Sequence, residues 1–204
     1  MIVRRFLSVL LVGVLLSIAL PAWGQAQSPK LYVCNQGEAT VSVIDMEAMA
    51  VETTVDLKDQ GFSENAKPHH VVAEPDGSHW YVSLIGANTI LKMNRQNEVV
   101  ARLDDFEVPG LLALDPSKDV LYAGRSMSAV NPPKSLGMIQ RSNMRVIERV
   151  GTFFPRPHPL AVTPNGEHAF IASLGTNQLM GIDTDTRETQ LTRLEGTTQT
   201  PVQF

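Results

Sequence analysis

The chain has 204 residues, 43% of them hydrophobic, and a formal net charge of −4. That balance describes a globular protein and excludes nucleic acid or an anionic membrane as the main partner. Its single cysteine, Cys34, excludes an internal disulfide, so stability has to come from packing.

The first segment carries Arg4 and Arg5, an apolar run from Phe6 to Leu20, and then Pro21-Ala22-Trp23-Gly24-Gln25. This is the three-part pattern of a secretory signal peptide, expected over residues 1–24 with cleavage after Gly24 or Ala26. A spanning helix needs about 20 apolar residues, and this run stops sooner at a helix-breaking proline. Phe6 directly follows the arginine pair, which favours general secretion over twin-arginine export. The expected location is periplasmic or secreted, with no membrane anchor after cleavage and 15 basic against 21 acidic residues remaining.

From residue 25 onward the chain repeats itself. The first unit reads Leu31-Tyr32-Val33, then Val41-Ser42-Val43-Ile44-Asp45. The second runs Pro68-His69-His70-Val71-Val72-Ala73-Glu74-Pro75-Asp76-Gly77, Trp80-Tyr81-Val82-Ser83, Asn88 to Asn94, and Val99 to Leu103. A looser third copy starts at Pro109-Gly110-Leu111 and continues through Leu121-Tyr122-Ala123-Gly124. The fourth returns as Pro157-His158-Pro159, Pro164-Asn165-Gly166, Ala169-Phe170-Ile171 and Asn177 to Asp183. Tyr32, Tyr81, Tyr122 and Phe170 are 49, 41 and 48 residues apart, which matches a propeller blade of about 40 to 45 residues.

Each unit alternates apolar and small polar residues with the period of a strand. Pro-Asp-Gly and Pro-Asn-Gly are tight-turn sequences, and Asp45, Asn94 and Asp183 stand where a side-chain oxygen can open the next turn. The pattern predicts all-β, four-stranded antiparallel meanders that bury their faces only by stacking radially as a β-propeller.

Leu31 to Asp45, Leu-Tyr-Val-Cys-Asn-Gln-Gly-Glu-Ala-Thr-Val-Ser-Val-Ile-Asp, resembles the YVTN β-propeller repeat, with Cys34 where that motif has threonine. The resemblance extends over essentially all of residues 25–204. Similarity to secreted YncE-like proteins implies a seven-bladed ring, related in shape to the haem d1 domain of nitrite reductase and the nitrous oxide reductase propeller. About four blades fit the length. The first unit begins at the equivalent of a second strand, and Thr200-Pro201-Val202-Gln203-Phe204 resembles the opening of another inner strand. The expectation is an incomplete, C-terminally truncated ring.

Successive strands of a meander reverse direction, so the loop before strand one and the loop joining strands two and three share one face. His69 and His158 hold the same repeat position there, at the mouth of the central channel, with His70 beside His69. The longest loop, Ser126 to Leu136, is expected to overhang that mouth with Arg125 at its base and Lys134 within it. His69, His70, Arg125, Lys134 and His158 are the candidate ligand or partner residues. Neutral imidazoles also make His69, His70 and His158 candidate ligands for copper or a haem-type cofactor. Against this, Gly110 takes the histidine position in the third unit and no Cys-x-x-Cys-His occurs. The alternative is a Pro-His strand start bonded to backbone, which the repeat favours. His79 and His168 read as solvated turn residues, Cys34 as a small packed hydrophobe, the methionines as packing, and Asp104, Asp105 and Glu107 as a solvated connector.

No nucleophile elbow, phosphate loop, dinucleotide fingerprint or zinc-protease motif is present in the sequence, which supports no reaction. The reading is a binding scaffold for an unidentified small molecule, peptide or protein. A metal- or haem-dependent redox propeller is the alternative, and a lactonase-type hydrolase is the second.

Overall fold

The computed structural model describes residues 28–196 apart from positions 127 and 129. The expected signal peptide and the closing Thr200 to Phe204 segment lie outside the described residues.

The alternating segments form β-strands paired antiparallel with their sequence neighbours. The first blade holds β1 (Lys30–Asn35), β2 (Thr40–Asp45) and β3 (Ala50–Asp56). The second holds β4 (Pro68–Ala73), β5 (His79–Leu84), β6 (Thr89–Asn94) and β7 (Val99–Leu103). The third holds β8 (Pro109–Leu114), β9 (Val120–Arg125), β10 (Ser135–Gln140) and β11 (Arg145–Gly151). The fourth holds β12 (Pro157–Val162), β13 (His168–Ser173), β14 (Gln178–Asp183) and β15 (Thr189–Arg193). β4, β8 and β12 are the innermost strands and lie side by side, and β1 packs against β4. The described residues therefore form an unclosed arc of four propeller blades, the first with three strands.

Turn chemistry makes the meanders. Asp45 Oδ1 accepts from the main-chain N–H groups of Glu47 and Ala48, both at 2.9 Å. Asn94 Oδ1 does the same for Gln96 and Glu98, and Asp183 Oδ1 for Asp185 and Thr186. Each side chain replaces the strand's next hydrogen bond and reverses the chain. Gly77 and Gly166 sit at φ of 66° and 73°, which their missing Cβ permits.

The core lies between blades rather than within them. Val41, Val43 and Val55 of the first blade meet Trp80, Val82 and Met93 of the second. Tyr81 and Ile90 turn the other way, onto Leu112 and Leu121 of the third. Tyr122 and Met138 of the third then meet Ile171 and Met180 of the fourth. Tyr32 stacks on Trp80 with ring centroids 4.8 Å apart, a geometry that adds to simple burial.

Two details differ from the sequence-based expectation and a third adds to it. The long loop is shorter, since β10 already begins at Ser135 and pairs with Gly151. The connection from β3 to β4 contains two short 3₁₀ turns, Leu57–Gln60 and Glu64–Ala66, the first started by Asp56 accepting from Lys58 N–H. Met46 and Met49 sit in the β2–β3 turn and are exposed, whereas Met93, Met138, Met144 and Met180 are buried as packing residues.

The innermost strands share a start that no propensity scale foresees. Lys67, Val108 and Arg156 immediately precede Pro68, Pro109 and Pro157, and all three have left-handed backbones, at φ of 51°, 45° and 56°. The turn aims the carbonyls of Lys67 and Arg156 at the ends of β5 and β13, where they accept from Ile85 and Leu174 N–H. For a β-branched residue this conformation costs on the order of 1–2 kcal/mol. Asparagine tolerates it, so Val108→Asn is expected to raise stability by about 1 kcal/mol. A urea midpoint that rises at unchanged slope checks this, and a lower midpoint contradicts it.

Candidate functional site at the channel mouth

After its proline, each innermost strand slips register against the second strand. The shifts fall between Pro68 and His70, between Pro109 and Leu112, and between Pro157 and Leu160. A bulge of this kind re-aims the residue it leaves unpaired. The residues left out of the register are His69 in the second blade, Gly110 and Leu111 in the third, and His158 and Pro159 in the fourth, so the same repeat position leaves the ladder each time.

His69 and His158 come together although a whole strand, β8, separates theirs. Their ring centroids lie 5.6 Å apart with planes inclined by 43°. Gly110, which interrupts the histidine series, explains the approach. A Cβ there would stand 2.6 Å from Ser126 Oγ, and Ser126 Oγ lies 2.6 Å from His158 Nδ1 in a hydrogen bond. The missing histidine therefore leaves space for the serine that holds its neighbour.

The remaining polar contacts are specific. Gln36 Nε2 donates to His69 Nδ1 at 3.2 Å. Leu112 N–H donates to His70 Nδ1 at 3.2 Å. Ser83 Oγ donates to Gly110 O at 2.8 Å and accepts from His70 N–H. His69 Nε2 is buried and has no hydrogen-bond partner. Burial lowers the pKa of all three rings: His70 falls to about 4 with help from His69, and His158 falls to about 4 through burial, then His69, Arg156 and His70. The imidazoles are therefore neutral at neutral pH.

The other candidates fall differently. Arg125 is held within its own blade region, pairing with Glu107 at 2.6 Å, donating to Ser135 Oγ at 2.8 Å and lying over the Phe106 ring. Lys134 is exposed in the 126–134 loop, its carbonyl accepting from Thr152 N–H. Asp104 is paired with Arg102 and bonded by Thr89. His79 and His168 begin β5 and β13 away from the mouth. Cys34 packs against the first interblade core, and burial pushes its thiol up to about 12, which leaves it unreactive.

These contacts bear on whether the three histidines suit a metal. A main-chain N–H can only donate, so Nδ1 of His70 is an acceptor and its Nε2 bears the proton, leaving no lone pair there for a metal. Among the described residues no group of three or more His, Cys, Asp or Glu is placed to hold a metal ion. The three-histidine copper or haem set does not fit this arrangement.

The far face holds a feature that sequence reasoning missed, a groove of about 1080 Å³ between the first and second blades, lined by Tyr32, Lys30, Asp45, Glu52, Glu74 and Arg95 among others. Several of its charges are already engaged. Lys30 pairs with Asp45 and Glu52, Arg95 donates to the carbonyls of Asp76 and Gly77, and Glu74 pairs with Arg141.

No protein-family model and no curated protein matches the chain. Among solved structures it is similar to Kuenenia stuttgartiensis hydrazine synthase, with a TM-score of 0.67 and 16% identity over 80% of this chain and 46% of that one. It is also similar to virginiamycin B lyase from Staphylococcus aureus, with a TM-score of 0.69 and 13% identity over 85% of this chain and 55% of that one. The chain thus spans about half the length of these structures, and at such identities the likeness shows the fold alone.

Two outcomes are expected. Gly110→Ala forces Ser126 off His158 and costs about 1–3 kcal/mol. Ser126→Ala in the same chain relieves part of that cost, so a double-mutant cycle in urea reads a coupling of at least 0.5 kcal/mol, whereas strict additivity contradicts the contact. The second concerns pH. An unfolded histidine titrates near 6.5, and His70 and His158 titrate near 4 when folded. Their contribution is complete above pH 6.5 and is lost as pH falls toward 4, because only the unfolded chain takes up protons there. The slope corresponds to roughly one proton per histidine and shrinks in His158→Gln, as urea titrations from pH 7 to pH 4 will read.

Proposed function

We propose that this chain is an exported β-propeller binding protein whose ligand or partner seats at the channel mouth over His69 and His158. The observation that carries the reading is His69 Nε2, a buried polar atom without a partner, on a ring whose centroid lies 5.6 Å from that of His158. Buried polar groups are normally satisfied, and an exception at a channel mouth is what a binding site awaiting its ligand presents. Phe153 and Val130, 72% and 77% exposed on the connections of the same face, add apolar surface around it. The apolar run after Arg4 and Arg5 supports export.

The redox alternative is favoured by one observation, the His69–His158 approach, and is weakened by the protonated Nε2 of His70. Hydrazine synthase and virginiamycin B lyase are enzymes by name, yet the likeness to them reaches the fold and not the site. A lactonase-type activity would need carboxylates around the channel, and Asp104 and Glu107 are committed to Arg102 and Arg125.

The test is a thermal-shift screen of the protein with copper(II), zinc(II), haem and a panel of small organic acids. At least one probe is expected to raise the melting temperature by several degrees, with the shift abolished in His69→Phe. A stabilising probe that acts equally on His69→Phe moves the site elsewhere, and no shift with any probe overturns the reading.

A further inference from the structure

We propose that the inner edge of β1 is a docking site for an extended segment of a separate polypeptide, one that carries an aspartate or glutamate for Tyr32 and Arg95. The site belongs to the first blade and does not rest on the reading of the channel mouth.

The other blades supply the template. β5, β9 and β13 are each paired on both sides, by an innermost strand and by the third strand of their blade. β1 holds the same place in the first blade, yet among the described residues it pairs with β2 alone. Its other edge therefore presents main-chain groups to an added strand. An edge of this kind binds such a strand through the backbone and selects it through side chains.

The repeat also sets which side chain is selected. In the second blade the residue directly after the innermost strand is Glu74, which accepts from the Tyr81 hydroxyl at 2.8 Å and pairs with Arg141 of the next blade at 2.7 Å. In the third blade it is Asp115, which accepts from the Tyr122 hydroxyl at 3.3 Å. Burial and then Asp115 raise the pKa of that tyrosine, and Arg187 of the next blade opposes the rise. In the fourth blade Phe170 takes the place of tyrosine and Thr163 that of the acid. Hydroxyl and carboxylate are thus kept together or lost together.

The first blade keeps the hydroxyl, on Tyr32, and the cation, on Arg95. Arg95 directly follows the third strand of its blade, as Arg141 does. Tyr32 and Arg95 line one groove, and burial raises the Tyr32 pKa against the opposing charges of Lys30 and Arg95. The acid is what this set lacks. Asp45 and Glu52 of the groove pair with Lys30, and Glu74 serves Tyr81 and Arg141. Arg95 holds only the carbonyls of Asp76 and Gly77. Tyr81 and Tyr122 are fully buried, whereas Tyr32 is partly open. A strand added along β1 with a carboxylate after its last residue would cover Tyr32 and complete the set through charge-assisted hydrogen bonds.

The probe is a peptide of residues 67–75, the second blade's own innermost strand with its acid, titrated into the ¹⁵N-labelled full chain. Saturable shifts of the β1 amides are expected, and the Glu74→Gln peptide should bind about tenfold more weakly. Tyr32→Phe keeps the stack on Trp80 and Arg95→Gln alters an exposed side chain, so both variants should give folded free spectra and bind the two peptides alike. No saturable response at β1, or equal binding of the two peptides by the unaltered protein, overturns the inference. Light scattering on the same samples covers the other occupant: a stable dimer whose β1 edge the peptide cannot enter assigns the edge to a second copy and overturns the separate partner.

Discussion

Alternation along the second strand of each blade is the constraint on which the rest of this arc depends. In β5, Trp80 and Val82 face the first blade, whereas Tyr81 faces the third. A single sheet so built has two apolar faces and no interior of its own. Burial of a large side chain contributes on the order of 1.5–3 kcal/mol only when a neighbouring blade supplies the opposite surface. Each blade is thus stable as a member of a stack, and the order of blades in space follows the order in sequence.

Stacking also dictates where chemistry can appear. Interblade packing consumes the apolar residues of the second and third strands, so the innermost strands are the places where polar side chains can converge. The left-handed residue before each proline and the bulge after it bring positions 69, 110 and 158 out of the ladder together. The repeat supplies a common direction, and the difference between histidine and glycine at that position then decides what meets. With a side chain at position 110, Ser126 could not reach His158 in its present place.

Much of this was legible in the sequence. Strand order, blade length, the Asp and Asn turn oxygens and the shared face of His69 and His158 all follow from local chemistry repeated at a fixed spacing. The missed features depend on backbone geometry that residue type does not announce. Lys67, Val108 and Arg156 are ordinary residues in unusual conformations, and no propensity marks a valine as left-handed. Gly110 reads in the sequence only as a missing histidine, because sequence comparison registers the lost side chain and not the space it vacates. Arg125 stood at the right place in the chain, but its guanidinium is consumed by Glu107 and Ser135, contacts that require the fold to be known.

The same limit explains why histidine identity alone leaves a metal site open. A histidine in a sequence is a donor, an acceptor or a ligand, and only its second nitrogen's partner decides among these. Here the partners are a main-chain N–H for His70 and a carboxamide for His69, both of which donate and thereby place the proton on the free nitrogen. Desolvation disfavours a second proton, so each ring stays neutral with one N–H and one acceptor nitrogen. A cluster that composition presents as a metal site thus becomes, through two hydrogen bonds, a set of directed N–H groups.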